Sequence, residues 1–156
     1  MNLPKLSIII PSRSDEKTVE ECVNSACNQD YPQDKLEVIV IADDTNALTE
    51  KSGIKLVKSN IKSGAKKNLG VKLAQGEIMV FLDDDTVAPE GWLRELILPF
   101  EEADIAVVGG PNLTPLNANL KERCSGYIFS SFFGSSYMAS RYRAFSSDLR
   151  QVDERS

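Results

Sequence analysis

The stretch "IMVFLDDDTVAPEGW", residues 78–92, runs five apolar residues straight into Asp83, Asp84 and Asp85. Carboxylates on one strand-ending turn repel each other unless a cation or several hydrogen-bond donors sit close by. No side chain in this stretch is able to neutralise them. A hard divalent ion would: Mg²⁺ and Mn²⁺ take oxygen ligands, commonly one or two protein carboxylates together with water and a substrate's diphosphate. The plainer alternative is that one aspartate caps the helix opening near Pro89 while the others face water. Asp43 and Asp44 follow the apolar run "LEVIVIA" (36–42) in the same manner. A carboxylate there can shape a turn or accept hydrogen bonds from a ribose hydroxyl or a base N–H. Lysines 58, 62, 66, 67 and 72 gather in and before the helical stretch that follows. They form either a solvated face or, through Lys62 and Lys67, a source of positive charge for a phosphate.

The residue types that are missing narrow the chemistry further. The chain has no histidine, which excludes Ser-His-Asp and Cys-His nucleophiles, the His-Glu-x-x-His zinc helix and any histidine base. Carboxylates and lysines must carry whatever reaction there is. Cys22, Cys27 and Cys124 form no C-x-x-C pair and are odd in number, so they suggest neither a zinc site nor a disulfide framework, and a reducing compartment fits them. A net charge of −5 lacks the clustered basic excess of a nucleic-acid surface. No apolar run reaches the ~18 residues of a membrane span, and "MNLPKLSIIIPSRS" does not read as a signal peptide. A cytoplasmic protein is expected.

The elements that must position these residues are legible from hydrophobic patterning. Four runs rich in β-branched residues, at 6–10, 36–42, 78–82 and 105–109, read as strands, with a weaker fifth at 54–59. They are continuous rather than alternating, the habit of parallel strands buried on both faces. Between them, 18–29 places Val19, Cys22, Val23 and Ala26 on one helical stripe, with Ser14 or Asp15 as its N-cap. The stretch 63–77 places Leu69, Leu73 and Ala65 on a second stripe and stops at Gly76. The stretch 90–103 carries Trp92, Leu93, Leu96, Ile97 and Phe100, with Pro99 shortening its last turn. Beyond Gly110, a helix is expected from about Leu116 to Phe133, and the chain from Ser135 onward reads as irregular. With 156 residues and 42% hydrophobic content, one compact α/β domain is expected, an open, mostly parallel sheet with helices on both faces. In such sheets ligands bind beyond the carboxyl ends of the strands. "PSRSDE", "DDTN" and "DDDT" all lie at that edge, which tips the balance from capping to ligand binding.

Taken together, these residues resemble the family 2 glycosyltransferases, inverting nucleotide-sugar enzymes with a GT-A fold (Rossmann-like, nucleotide-diphospho-sugar transferase). The likeness covers about Leu6 to Tyr142. "LSIIIPSRSDEKTVEECVNSACNQDYP" is similar to the opening strand, P-[ST]-x-N-E loop and first helix, and "LEVIVIADDTN" to the strand ending in D-D-G-S. "GAKKNLGVKLAQGEIMVFLDDDTVAPEGWL" resembles the A-R-N-x-G helix leading to the D-x-D strand, and "VVGGPNLTP" the strand after it. By that resemblance Pro11, Ser12, Asp15 and Asp44 would line the base and ribose of a nucleotide-diphospho-sugar donor, with Lys62 or Lys67 near the base or phosphates. Asp83 and Asp84 would approach the ribose and sugar. Asp85, with Asp83, would hold the Mn²⁺ or Mg²⁺ that bridges the diphosphate. UDP is the expected nucleotide and cell-envelope polysaccharide the expected setting.

The sequence also departs from the family. Arg13 and Ser14 stand in place of an aromatic and Asn, Thr45 and Asn46 in place of Gly-Ser, and Lys67 in place of Arg. The family's general base lies in an E-D type motif well after the D-x-D, and nothing from Gly110 to Ser156 matches it; Asp148, Asp153 and Glu154 read as tail charges. The expectation is a donor-binding core over 1–115 and an incomplete acceptor-side region over 116–156, the chain being the donor-binding part of a longer enzyme. The acceptor would be a saccharide, lipid or protein, with no nucleic-acid partner. The aromatic stretch "GYIFSSFFGSSYM" (126–138) reads as an ordinary buried helix, as a segment that packs on further sequence of the longer enzyme, or as a segment near a membrane at whose cytoplasmic face the full-length protein would work. Two other readings stand beside this one. One is a haloacid-dehalogenase-type phosphatase, whose D-x-D-x-[TV] strand end "VFLDDDTV" also resembles, with Asp83 as nucleophile and Asp85 as acid/base. The other is a nucleotide-binding module that has lost turnover.

Overall fold

The computed structural model describes residues 3–13, 16–45, 53–102, 104–115, 118–136, 139 and 142. The chain divides into two compact units, Met1–Glu101 and Glu102–Ser156. The first contains a sheet of β1 (Leu6–Pro11), β2 (Leu36–Ala42), β3 (Ile54–Lys58) and β4 (Ile78–Phe81), and helices α1 (Glu16–Cys27), α2 (Ser63–Leu73) and α3 (Trp92–Ile97). The strands run in the order β3-β2-β1-β4, and every pairing is parallel. Leu6 faces Leu36 on one side and Ile78 on the other, while Val38 faces Ile54.

Burial explains why the central strands read as unbroken apolar runs. Successive side chains of a strand point to opposite faces, and here both faces are covered. Ile8, Ile10, Val38, Val40 and Val80 pack with Val19, Cys22, Val23 and Ala26 of α1 and with Leu93 and Ile97 of α3. Ile9, Ile39 and Ile41 pack on the other face with Leu69 and Leu73 of α2. At Gly70 a Cβ would collide with Ile9 Cγ2 and stand 3.2 Å from Ile41 Cδ1, so α2 lies directly on the sheet only because that position has no side chain.

Several boundaries differ from the sequence reading. α2 ends at Leu73, three residues before Gly76. Gly76 instead passes so close to β1 that a Cβ would lie 2.6 Å from Ser7 N, which makes it a residue of close approach rather than a helix cap. Ala65 is exposed, and the buried stripe of α2 runs through Lys66 and Gly70 instead. After α3 the chain tightens into a 3₁₀ turn at Leu98–Glu101, as expected where Pro99 withholds a backbone donor. The proposed N-cap at Ser14 or Asp15 lies outside the described residues.

In the second unit the expected strand at 105–109 is absent: residues 104–115 form no regular element, and Val107 is exposed. β-branched composition suits a strand, but a strand forms only against a hydrogen-bonding neighbour, and none of the described residues pairs with this segment. The single helix expected over 116–133 is two, α4 (Leu120–Phe129) and α5 (Phe132–Ser135). The Asn119 side chain accepts from Glu122 N at 3.0 Å while Glu122 accepts from Asn119 N at 2.9 Å, a capping box that starts α4. The hydroxyl of Ser131 accepts from Gly134 N at 3.1 Å and starts α5. The aromatic segment is not the buried helix expected, since Tyr127, Ile128, Phe129, Phe132 and Phe133 are all exposed. Phe129 stacks on Tyr142 with ring centroids 5.2 Å apart. Among the described residues no helix is long and apolar enough to cross a membrane.

Candidate functional site

The carboxyl ends of β1, β2 and β4 bring most of the singled-out residues of the first unit to one edge. Pro11 closes β1, and the buried Ser12 continues its ladder by donating from N to Ile41 O at 2.8 Å. Asp43 and Asp44 leave β2 beside it. Leu82 N donates to Ile9 O at 3.1 Å, which extends the β4 pairing by one residue. Thr86 N then donates to Asp83 O at 3.0 Å, closing a four-residue turn with Asp84 and Asp85 at its two central positions.

This turn is held from below by α1. Cys22 Sγ donates to Asp83 O at 3.4 Å, Ala88 N donates to Ser25 Oγ at 3.0 Å, and Gln29 Nε2 donates to Pro89 O at 3.0 Å. Gln29 Oε1 also accepts from Leu93 N at 3.3 Å, so one buried amide joins the turn to the start of α3. Burial pushes the Cys22 thiol up to about 12, and the charges of Asp84, Asp85 and Asp83 add to the effect, partly opposed by a backbone hydrogen bond at Thr86.

Of the three consecutive aspartates, Asp83 has a countercharge and Asp84 a backbone donor, both supplied from elsewhere in the chain. Lys67 Nζ lies 3.0 Å from Asp83 Oδ1, reaching it from a position 16 residues earlier. Arg13 N donates to Asp84 Oδ2 at 3.2 Å. Lys58 Nζ pairs with Asp44 Oδ1 at 3.1 Å. The ammonium of Lys66, almost fully buried, pairs with Asp43 and donates to the carbonyl of Ser12. Asp85 is exposed and makes no hydrogen bond or ion pair with another described residue.

Of the residues singled out from sequence, Pro11, Ser12, Asp44, Lys67, Asp83, Asp84 and Asp85 therefore share this edge. Lys62 precedes α2 as its N-cap residue, with its side chain exposed and making no cap hydrogen bond. Asp15 lies outside the described residues, as do Asp148, Asp153 and Glu154. Sequence reasoning missed Lys66, Ser25 and Gln29. The signal for Lys66 was present: it precedes Leu69, Gly70 and Leu73 by three, four and seven positions and so falls on the stripe that faces the sheet.

Among the described residues no group of three or more His, Cys, Asp or Glu side chains converges as a cage for a metal. A closed site of the structural-zinc type is therefore not what these residues form. An exposed Asp85 beside Asp83, at a strand end, fits instead an ion that draws most of its ligands from water and a substrate.

Comparison with known proteins accords with this arrangement. The model of glycosyl transferase family 2 matches residues 7–149. A β-1,3-glucosyltransferase of Campylobacter jejuni, named for its GalNAc(5)-diNAcBac-PP-undecaprenol substrate, is 33% identical over 137 residues, which are 80% of this chain and 43% of that protein. Glycosyltransferase AglE of Haloferax volcanii is 28% identical over 69% of this chain and 39% of its own length. The crystal structure of residues 1–349 of TarS from Staphylococcus aureus superposes with a TM-score of 0.53 at 23% identity, covering 82% of this chain and 44% of that one. The chain thus spans less than half the length of each of these relatives. The shared architecture is the GT-A α/β fold.

Proposed function

Because the chain belongs to glycosyl transferase family 2, we propose that it is the donor-binding part of an enzyme that transfers a sugar from a nucleotide-diphospho-sugar to an acceptor, with inversion. The observation that carries this reading is the convergence of Ser12, Asp44, Lys67 and the Asp83–Asp85 turn at the carboxyl edge of one parallel sheet. That edge offers acceptors for ribose and base donors, ammonium charge for a diphosphate, and carboxylates for a divalent ion. The phosphatase reading of the Asp83 strand loses its basis, since the family match extends over the other motifs as well.

In an inverting transfer the acceptor oxygen attacks the anomeric carbon from the face opposite the nucleoside diphosphate. The bond from that carbon to the diphosphate oxygen breaks, and a base takes the acceptor's proton. Pro11, Ser12 and Asp44 line the nucleoside, and Asp84 orients the ribose and sugar. Asp85 and Asp83 would hold Mn²⁺ or Mg²⁺, and such an ion would supply Lewis acidity for the charge that develops on a departing diphosphate. Lys67 lies beside Asp83 and adds a second positive charge there. Among the described residues none is assigned the role of that base. In the second unit Glu122 is committed to the capping box of α4. A saccharide carried on a lipid is the favoured acceptor class, following the name of the Campylobacter relative, and work at the cytoplasmic face of a membrane follows from that choice.

UDP is the favoured nucleotide, and TarS has been solved with UDP and with UDP-GlcNAc. Calorimetric titration of UDP and GDP into the protein, with Mn²⁺, with EDTA and after Asp85→Ala, tests the reading. Metal-dependent binding of one nucleotide that the substitution abolishes is the expected result. No binding of either nucleotide under any condition would defeat it.

A further inference from the structure

Within the donor site proposed above, and resting on that reading, we infer that Lys66 is a positioning residue that holds the nucleoside-binding loops in register. Its side chain is 1% exposed, among the largest fully buried side chains of the protein. An ammonium there loses its water, and an apolar residue on the same helical stripe would pack against the sheet without that penalty. Retention of a charge at a core position points to what the charge holds. It holds two separate strand ends: the carboxylate of Asp43 after β2 and the carbonyl of Ser12 after β1.

The Ser12–Arg13 peptide is thereby fixed from both sides. Its carbonyl accepts from Lys66, and its N–H, that of Arg13, donates to Asp84 Oδ2 at 3.2 Å. A continuous run of hydrogen bonds leads from Asp43 through the Lys66 ammonium and this peptide to Asp84, joining the ends of β2, α2, β1 and β4. Both termini of the run are anionic, and the charged donor polarises the peptide between them. Asp43 remains one-third exposed in its side chain, so its carboxylate faces the ligand edge while one oxygen is held from beneath. Lys66 touches no ligand in this scheme. It sets Asp43, the Ser12–Arg13 peptide and Asp84 in the geometry that a nucleoside meets.

The test compares the full chain with its Lys66→Met and Lys66→Arg variants, by thermal melting and by UDP titration in the presence of Mg²⁺. Methionine preserves length and apolar packing, and arginine preserves the charge. The expected result is cooperative melting for all three, UDP affinity lower by about tenfold in Lys66→Met as preorganisation is lost, and substantial recovery in Lys66→Arg. Wild-type binding that Lys66→Met leaves unchanged overturns the inference alone. Absence of UDP binding by the wild type overturns the donor-site reading and the inference with it. Should Lys66→Met fail to fold, NMR of the wild-type lysine ammonium groups decides. A buried, ion-paired Lys66 signal should be observable at neutral pH and should shift as UDP saturates the site. A Lys66 signal indifferent to UDP overturns the proposal.

Discussion

Lys67 Nζ sits 3.0 Å from Asp83 Oδ1, so a helix that packs on one face of the sheet supplies the countercharge for a carboxylate at the end of an edge strand. Both side chains are partly exposed, at 36% and 56%, so the pair contributes little to folding. Lys67→Met is expected to change stability by less than about 1 kcal/mol, and to weaken UDP binding because the charge beside the diphosphate is gone. Chemical denaturation and titration calorimetry on the same preparation would check both. A large loss of stability with unaltered binding would show that the pair serves the fold instead.

Asp85 occupies the turn without a partner among the described residues. Asp85→Asn removes one of three adjacent negative charges, so its folding stability should equal or slightly exceed that of the wild type, within about 0.5 kcal/mol. The Mn²⁺-dependent part of nucleotide binding should vanish, leaving the variant indistinguishable from wild type in EDTA. Persistence of full metal dependence in the variant would remove Asp85 from the metal site.

Gln29 is buried and satisfies three backbone groups, at Ser25, Pro89 and Leu93. Gln29→Ala leaves the Pro89 carbonyl and the Leu93 N–H without this partner, at a cost of about 1–3 kcal/mol. Since those groups anchor the segment after the aspartate turn, metal-dependent UDP affinity should fall as well. Urea unfolding gives the first quantity and calorimetry the second.

Gly70 separates two effects of opposite sign. Alanine is the better helix former by up to about 1 kcal/mol, yet its Cβ would meet Ile9 Cγ2 and Ile41 Cδ1 at the α2–sheet contact. Overpacking of this kind costs about 1–3 kcal/mol, so Gly70→Ala should be destabilising. A variant that melts above the wild type would mean that α2 can shift away from the sheet without penalty.

The thiol of Cys22 is pushed up from 9.0 to about 12 by burial and by the aspartates above it. The folded state therefore retains this proton where the unfolded chain releases it. Its contribution to stability is complete below pH 9 and is lost as pH rises toward about 12. Stability should fall more steeply over that range in the wild type than in Cys22→Ala. At pH 8 the exposed Cys124 should react with a thiol reagent in the native protein while the buried Cys22 does not. Equal reactivity of the two would contradict the packing of α1 on the turn.

Strands 6–10 and 36–42 were legible because unbroken β-branched runs report burial on both faces, and every residue of β1 is buried; the run at 78–82 also forms a strand, but there Met79 and Phe81 are exposed, so only one face of β4 is covered. The same signal misled at 105–109, where composition favours a strand but no described partner completes a ladder. The aromatic segment misled similarly: hydrophobicity reports what a segment would gain by burial, and in the second unit Phe132 and Phe133 are exposed all the same. Gly76 looked like a helix stop, and its need for close approach to Ser7 lies 69 positions away in sequence.

What the amino-acid order determined by itself is therefore what depends on consecutive residues: the strands of the parallel sheet, the helical stripes between them, and the placing of Ser12, Asp43, Asp44 and Asp83–Asp85 where apolar runs stop. Which charges meet was decided only in three dimensions. Lys66 and Lys67 are neighbours in the chain, yet α2 buries one against Asp43 and Ser12 and delivers the other to Asp83. Adjacent residues on a helix point in different directions, so the partner of each depends on how the helix is turned over the sheet. That rotation follows from the contact of Gly70 with Ile9 and Ile41, which no local pattern of charge reveals.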